Sequence, residues 1–323
     1  MGLGANGLQD EGFVIIGPAL PSCPCLLTLD LAGNEIGEQG VVALAASLPS
    51  LRKLSHLNLS YSLLRPSGFA VLSEALLKCS QLIELDVSGC EMRGGEGFQQ
   101  FALSLSSFKL LRCLAIGSNN LGDAGVITIC RSLSRSSTLT SLSTPANNVG
   151  VKGAEDIAYS LSSCPQLHLL DLSHNRVGLE GCTAIADHLL SSSLSHLLLA
   201  NNMLGKSGAL PLFGSSSHRL GCLNLKGNML GQEGVTSLAS ALIHCQQLTE
   251  LNLSQNTIND EGARAIATAM TNCTALQLLD LTVNMIGMEG AKAMLSKIAD
   301  CVSLSLIDLR LNYIGTVGTR RVR

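Results

Sequence analysis

Tryptophan is absent from this 323-residue chain, and it carries only 3 tyrosines and 6 phenylalanines. Aromatic anchors dominate the energetics of most protein interfaces, so a binding surface here has to be built from other side chains. Charge is sparse as well. Charged residues make up 14% of the chain and the net charge is −3, which provides no strong pull toward nucleic acid or an anionic membrane. Hydrophobic residues reach 46%, yet no run of 18 apolar residues occurs, which argues against a membrane span. The opening residues Met1 to Asn6 lack a basic stretch ahead of an apolar one, so no secretory leader is expected. Asn6 also stands where a myristoylation pattern requires Ser or Thr.

Recognisable chemistry is equally scarce. No phosphate-cradling loop, metal-ligand cluster or nucleophile–base–acid set stands out. Cys23-Pro24-Cys25 has the wrong spacing for a CxxC redox or zinc motif. The His244-Cys245 pair falls at the end of a predicted helix, a poor place for an exposed thiolate. No cofactor and no metal are expected.

What the chain does have is a period. Asn6, Asn34, Asn119, Asn147, Asn175, Asn202, Asn228, Asn256, Asn284 and Asn312 form one column, with Ser62 and Cys90 in its two gaps. Successive members are separated by 28, 28, 28, 29, 28, 28, 27, 26, 28, 28 and 28 residues. Self-similarity of this kind marks a solenoid. Within one period Leu251 and Leu253 alternate as in a strand, whereas Ala263, Ile266, Ala267 and Met270 fall on one helical face. Each period is therefore one strand–turn–helix unit that buries its apolar face only against its neighbours. Strands stack about 4.8 Å apart and helices about 10 Å, so the stack is expected to curve.

The column needs a side chain that both donates and accepts, to satisfy turn backbone groups of its own and the adjoining unit. Ser62 is expected to do part of this and Cys90 little of it. Glycines six residues past the column (Gly40, Gly234, Gly262, Gly290) are assigned to tight bends between strand and helix. Six cysteines, Cys23, Cys79, Cys164, Cys245, Cys273 and Cys301, lie eleven residues before the column and read as buried, reduced core thiols. That favours an intracellular, cytoplasmic compartment.

The pattern Leu26, Leu29, Leu31, Asn34, Ile36 and Gly40, repeated along nearly the whole chain, resembles the leucine-rich repeats of the ribonuclease-inhibitor type. The resemblance implies an α/β right-handed solenoid, a horseshoe with its parallel sheet on the concave face and its helices on the convex face. One domain is expected over 1–323, of about eleven units of which the first and last are incomplete. Such ends point to a stretch of a longer array or to ends that meet a partner. The unit between Asn202 and Asn228 is two residues short of the 28-residue period and carries Pro211 and the run Gly214, Ser215, Ser216, Ser217 where a helix is due, so a loop or broken turn is predicted there.

Residues six, four and two before the column point to the concave face, since the intervening leucines point inward. The candidate partner-binding set on this face and the ridge beside it is Asp30, Glu35, His56, Glu84, Asp86, Asp171, His174, Arg176, Lys226, Glu250, Arg310 and Tyr313. Its N-terminal part is the more acidic. The reading is a non-enzymatic scaffold that binds a protein partner through this face or through its ends, as part of a larger complex such as a ciliary or cytoskeletal assembly, or as a sensor fragment. Neither nucleic acid nor membrane is an expected partner. The alternative is a GTPase-activating protein resembling the Ran-activating family, where a loop arginine assists phosphoryl transfer; Arg65, Arg93 and Arg176 are the candidates, and none lies in a matching motif.

Overall fold

The computed structural model describes residues 1–134, 136–161, 163–189, 191–214 and 219–315. It is an α/β leucine-rich-repeat solenoid whose strands follow one another in sequence order, and each described strand pair is parallel. The chain divides into two compact units, Met1–Val149 with Ser162–Leu169, and Gly150–Leu161 with Leu170–Arg323.

The first unit contains helices α1 (Gln9–Ala19), α2 (Glu38–Ser47), α3 (Arg65–Leu76), α4 (Glu96–Ser104) and α5 (Gly122–Leu133). These alternate with strands β1 (Thr28–Asp30), β2 (His56–Asn58), β3 (Glu84–Asp86), β4 (Cys113–Ala115) and β5 (Ser141–Ser143). The register pairs Leu29 with Leu57, Leu57 with Leu85, and Leu85 with Leu114. The strands are three residues long and the alternation runs past them: Leu29 and Leu31 are fully buried, while Thr28 is exposed and Asp30 half-buried.

The second unit contains α6 (Val151–Leu161), α7 (Gly178–Leu189), the single turn α8 (Gly205–Gly208), α9 (Gly231–Leu242), α10 (Asp260–Met270) and α11 (Met288–Ile298). Its strands are β7 (His196–Leu198), β8 (Cys222–Asn224), β9 (Glu250–Asn252), β10 (Leu278–Asp280) and β11 (Leu306–Asp308). Strand β6 (Leu169–Asp171) lies at the division between the units. Helix α10 buries Ala263, Ile266, Ala267 and Met270, the i, i+3, i+4, i+7 face read from the sequence. The short unit holds α8 and a 3₁₀ turn, Leu210–Phe213, in place of a full helix. Ser215, Ser216 and Ser217, like Gly318 and Arg323, lie outside the described residues.

The asparagine column is a hydrogen-bonded ladder between repeats. Asn228 Oδ1 accepts from the Asn202 backbone N–H at 2.8 Å, Asn256 Oδ1 from Asn228 at 2.9 Å, and Asn284 Oδ1 from Asn256 at 2.9 Å. Asn256 Nδ2 also donates across the stack to the Leu225 carbonyl (2.9 Å) and within its own turn to that of Leu253 (3.1 Å). The gaps behave differently. Cys90 Sγ approaches the Leu59 carbonyl at 3.1 Å, whereas Ser62, fully buried, leaves its Oγ with no hydrogen-bond partner. Its hydroxyl is too short to take up the role expected of it.

The glycines six past the column require a second correction. They sit in the first turns of helices, not in bends, and at Gly40, Gly234 and Gly290 the missing Cβ admits the preceding repeat. A Cβ on Gly234 would lie 2.5 Å from the Lys206 carbonyl oxygen. A Cβ on Gly290 would lie 2.6 Å from Asp260 Oδ1, which caps the next helix by accepting from the Gly287 (2.6 Å) and Gly290 (2.9 Å) amides. Asp10 caps α2 in the same way through Gly37 and Gly40, both at 2.8 Å.

Of the cysteine column, Cys79, Cys164, Cys245 and Cys273 are buried and Cys23 and Cys301 half-buried. The thiols reach back to the preceding repeat, Cys273 Sγ to the Leu242 carbonyl at 3.5 Å and Cys79 Sγ to that of Leu48 at 3.7 Å. Burial pushes both from the usual 9.0 up to about 11. Native-state labelling at Cys79 and Cys273 is therefore expected to be at least about 100-fold slower than in urea, followed by mass spectrometry; rapid native labelling would contradict it. Because these thiols ionise first in the unfolded chain, the stability they supply is complete below about pH 9 and is lost as pH rises toward 11.

Candidate functional site

Four of the acidic and imidazole candidates come together on the open face of the first unit's sheet. Asp30, His56, Glu84 and Asp86 line a shallow cavity of about 350 Å³ with Thr28, Asn58, Cys113, Ala115, Ser141 and Ser143. The parallel register sets them side by side: Thr28 beside His56 beside Glu84, and Asp30 beside Asn58 beside Asp86. His56 Nε2 lies 3.7 Å from Glu84 Oε1 and its Nδ1 lies 2.7 Å from Ser55 Oγ. Glu35 stands off this cavity and accepts from Gln9 Nε2 at 3.1 Å.

The middle row has a structural reason that the sequence reading missed. Asp30 Oδ1 accepts from the backbone N–H of Ala32 (3.1 Å), Asp86 from Ser88 (2.9 Å) and Asp171 from Ser173 (2.9 Å). Asn58, Asn224, Asn252 and Asp280 do the same two residues on. These side chains close the turn after each strand with one oxygen. A sequence signal existed, since short polar Asp or Asn recurs four before the column.

In the second unit a cavity of about 380 Å³ is lined by Glu250, Asn252, Asp280, Asp308, Cys222 and Asn224, with Leu198, Leu278 and Leu306. Only Glu250 of the candidates lies in it. Leu278 and Leu306 were missed, although each occupies the position six before its Asn. Arg310 turns onto Asp308, its Nε 3.0 Å from both carboxylate oxygens, and that bond holds the Asp308 carboxyl below its usual range. Burial, then the neighbouring Glu250 carboxylate, pushes the Cys222 thiol up to about 11, which keeps it protonated and a poor nucleophile. His174, Arg176 and Tyr313 lie beside the Asn column, away from the cavity, and Lys226 two residues before Asn228. Of the loop arginines, Arg65 and Arg93 both face Glu91, at 3.7 and 3.4 Å. Among the described residues no three His, Cys, Asp or Glu side chains are placed to hold a metal ion, and no helix is long and apolar enough to cross a membrane.

This geometry defines a protein built from leucine-rich repeats. Residues 22–45, 109–130, 163–186 and 244–267 match the family model described as Leucine Rich repeat. Among solved structures the chain is similar to an internalin from Listeria monocytogenes, at 19% identity and a TM-score of 0.55, over 97% of this chain and 91% of that one. It is also similar to the plant peptide hormone receptor RGFR1, solved in complex with RGF2, at 18% identity and a TM-score of 0.46, over 94% of this chain but 55% of the receptor. No curated protein matches.

Proposed function

We propose that this chain is a non-catalytic scaffold that binds a protein partner on the open face of its sheet. The supporting observation is the first unit's cavity, where Asp30, Glu84 and Asp86 present carboxylate oxygens to solvent on a rigid parallel frame. One oxygen of Asp30 and of Asp86 is occupied by its turn, so each carboxylate is oriented before a partner arrives. The partner surface is basic. Buried thiols held protonated favour a reducing, cytoplasmic setting, and the 28-residue repeat with a helix in each favours the ribonuclease-inhibitor-like subclass.

The triple variant Asp30→Lys, Glu84→Lys, Asp86→Lys tests this in quantitative partner capture at two salt concentrations. Capture is expected to fall at least about tenfold at 50 mM salt, with a smaller difference at 500 mM, because exposed charges are screened within about 10 Å at 0.1 M salt. Unchanged capture would overturn the reading.

A further inference from the structure

The second unit carries a surface that the charged sheet face does not explain. Beside its asparagine column the loop tips expose Met203 (60%), Met229 (55%), Val283 (41%), Met285 (44%) and Leu311 (78%). From Asn201 to Tyr313 the residues flanking the column on either side contain no Asp, Glu, Lys or Arg. The backbone disfavours these side chains as well. Met203, Met229, Val283 and Leu311 hold φ of 58°, 56°, 55° and 59°, the left-handed region, where glycine or asparagine is the inexpensive choice. In the first unit the left-handed positions of the same columns hold Gly33, Gly89, Asn120 and Asn148, the small Ala5, Ser118 and Ala146, the charged Glu35 and Glu91, and one large apolar side chain, Tyr61. Bulky apolar residues that gain neither from backbone conformation nor from water are the mark of a surface covered by something else.

Charge and spacing define the occupant. Arg176, at the head of the ridge, and Lys226, beside it, have no carboxylate within ion-pair distance among the described residues, unlike Lys206 with Glu233 and Arg310 with Asp308. The ridge advances one repeat per strand spacing, about 4.8 Å, close to the 5.4 Å pitch of an α-helix. A helix laid along it for about 13 residues meets a thioether or aliphatic tip at each repeat except that of Asn256, where Gln255 and Thr257 flank the column. Methionine adapts to the shape of such a stripe. We propose that the ridge from Met203 to Leu311 docks an amphipathic helix of a partner protein, its apolar stripe on the methionines and its acidic flank against Arg176 and Lys226. This rests on the scaffold reading above but on different residues.

Two fluorescent 18-residue helical peptides test it, with one leucine stripe in common and glutamate or lysine on its flanks, titrated by anisotropy into the full chain. The glutamate peptide is expected to bind at least tenfold tighter. Met203→Ser, Met229→Ser, Met285→Ser together should weaken it at least tenfold, with circular dichroism and the urea midpoint confirming the fold. Arg176→Glu with Lys226→Glu should reverse the peptide preference. Equal or absent binding of the two peptides, or a triple serine variant that binds as before, overturns the proposal. So does a self-associated chain in sedimentation, or adsorption to phosphatidylcholine vesicles, that the serine variant abolishes, since a second copy or a bilayer would then be the occupant. Normal peptide binding alongside unchanged capture by the first-unit charge variant would discard the sheet-face reading and keep this one.

Discussion

Asn256→Ala is expected to lower stability by about 3 kcal/mol, against less than about 0.5 kcal/mol for Gln255→Ala next to it. The Asn256 side chain is fully buried and serves the preceding repeat and its own turn. Its oxygen accepts from the Asn228 and Leu230 amides at 2.9 and 3.3 Å, and its amide donates to Leu225, Leu253 and Ser254. Alanine strands these groups away from water, and each buried unsatisfied group costs about 1–3 kcal/mol. Relaxation of the stack recovers part of that sum. Gln255 sits in the exposed left-handed turn and loses little by truncation. Urea midpoints of the two variants decide the matter; equal midpoints would remove the ladder from the account.

The opposite change is expected at the ladder's gap. Ser62→Asn should raise stability by about 2 kcal/mol. In its column an asparagine offers its oxygen to two amides of the preceding repeat, here those of Asn34 and Ile36, by analogy with Asn34, which accepts from the Asn6 and Leu8 amides. Ser62 Oγ, buried and without a partner, contributes none of this. The repeats on both sides keep the 28-residue spacing, so the frame that accommodates asparagine elsewhere is present here. Ser62→Ala, which only removes the orphaned oxygen, should leave the midpoint unchanged or slightly higher. A lower midpoint for Ser62→Asn would mean that the gap serves packing and not hydrogen bonding.

Much of this was legible in the sequence because one physical constraint recurs in every repeat. The leucines two apart, the helical face of α10 and the column of Asn34 and Asn256 all follow from the need of each unit to bury its face and satisfy its turn. What escaped was contact between repeats. That Asp10 and Asp260 cap the following helix depends on a neighbour 27 residues away at Gly37 and Gly287, a distance that local propensity does not see. The turn-closing role of Asp30 and Asp86 escaped for a different reason. An exposed carboxylate that bonds its own backbone and one that waits for a partner have the same sequence, and these do the first while remaining oriented for the second.

Carboxylate footprinting tests the central claim most directly. The chain alone and the chain bound to captured partner are labelled with a water-soluble carbodiimide, and modification is read residue by residue by mass spectrometry. The account predicts that Asp30, Glu84 and Asp86 become protected in the complex while Glu11, Glu38 and Glu74 on α1, α2 and α3, exposed in the free chain, remain as reactive as before. Protection of the three helix glutamates with no change at Asp30, Glu84 and Asp86 would contradict it.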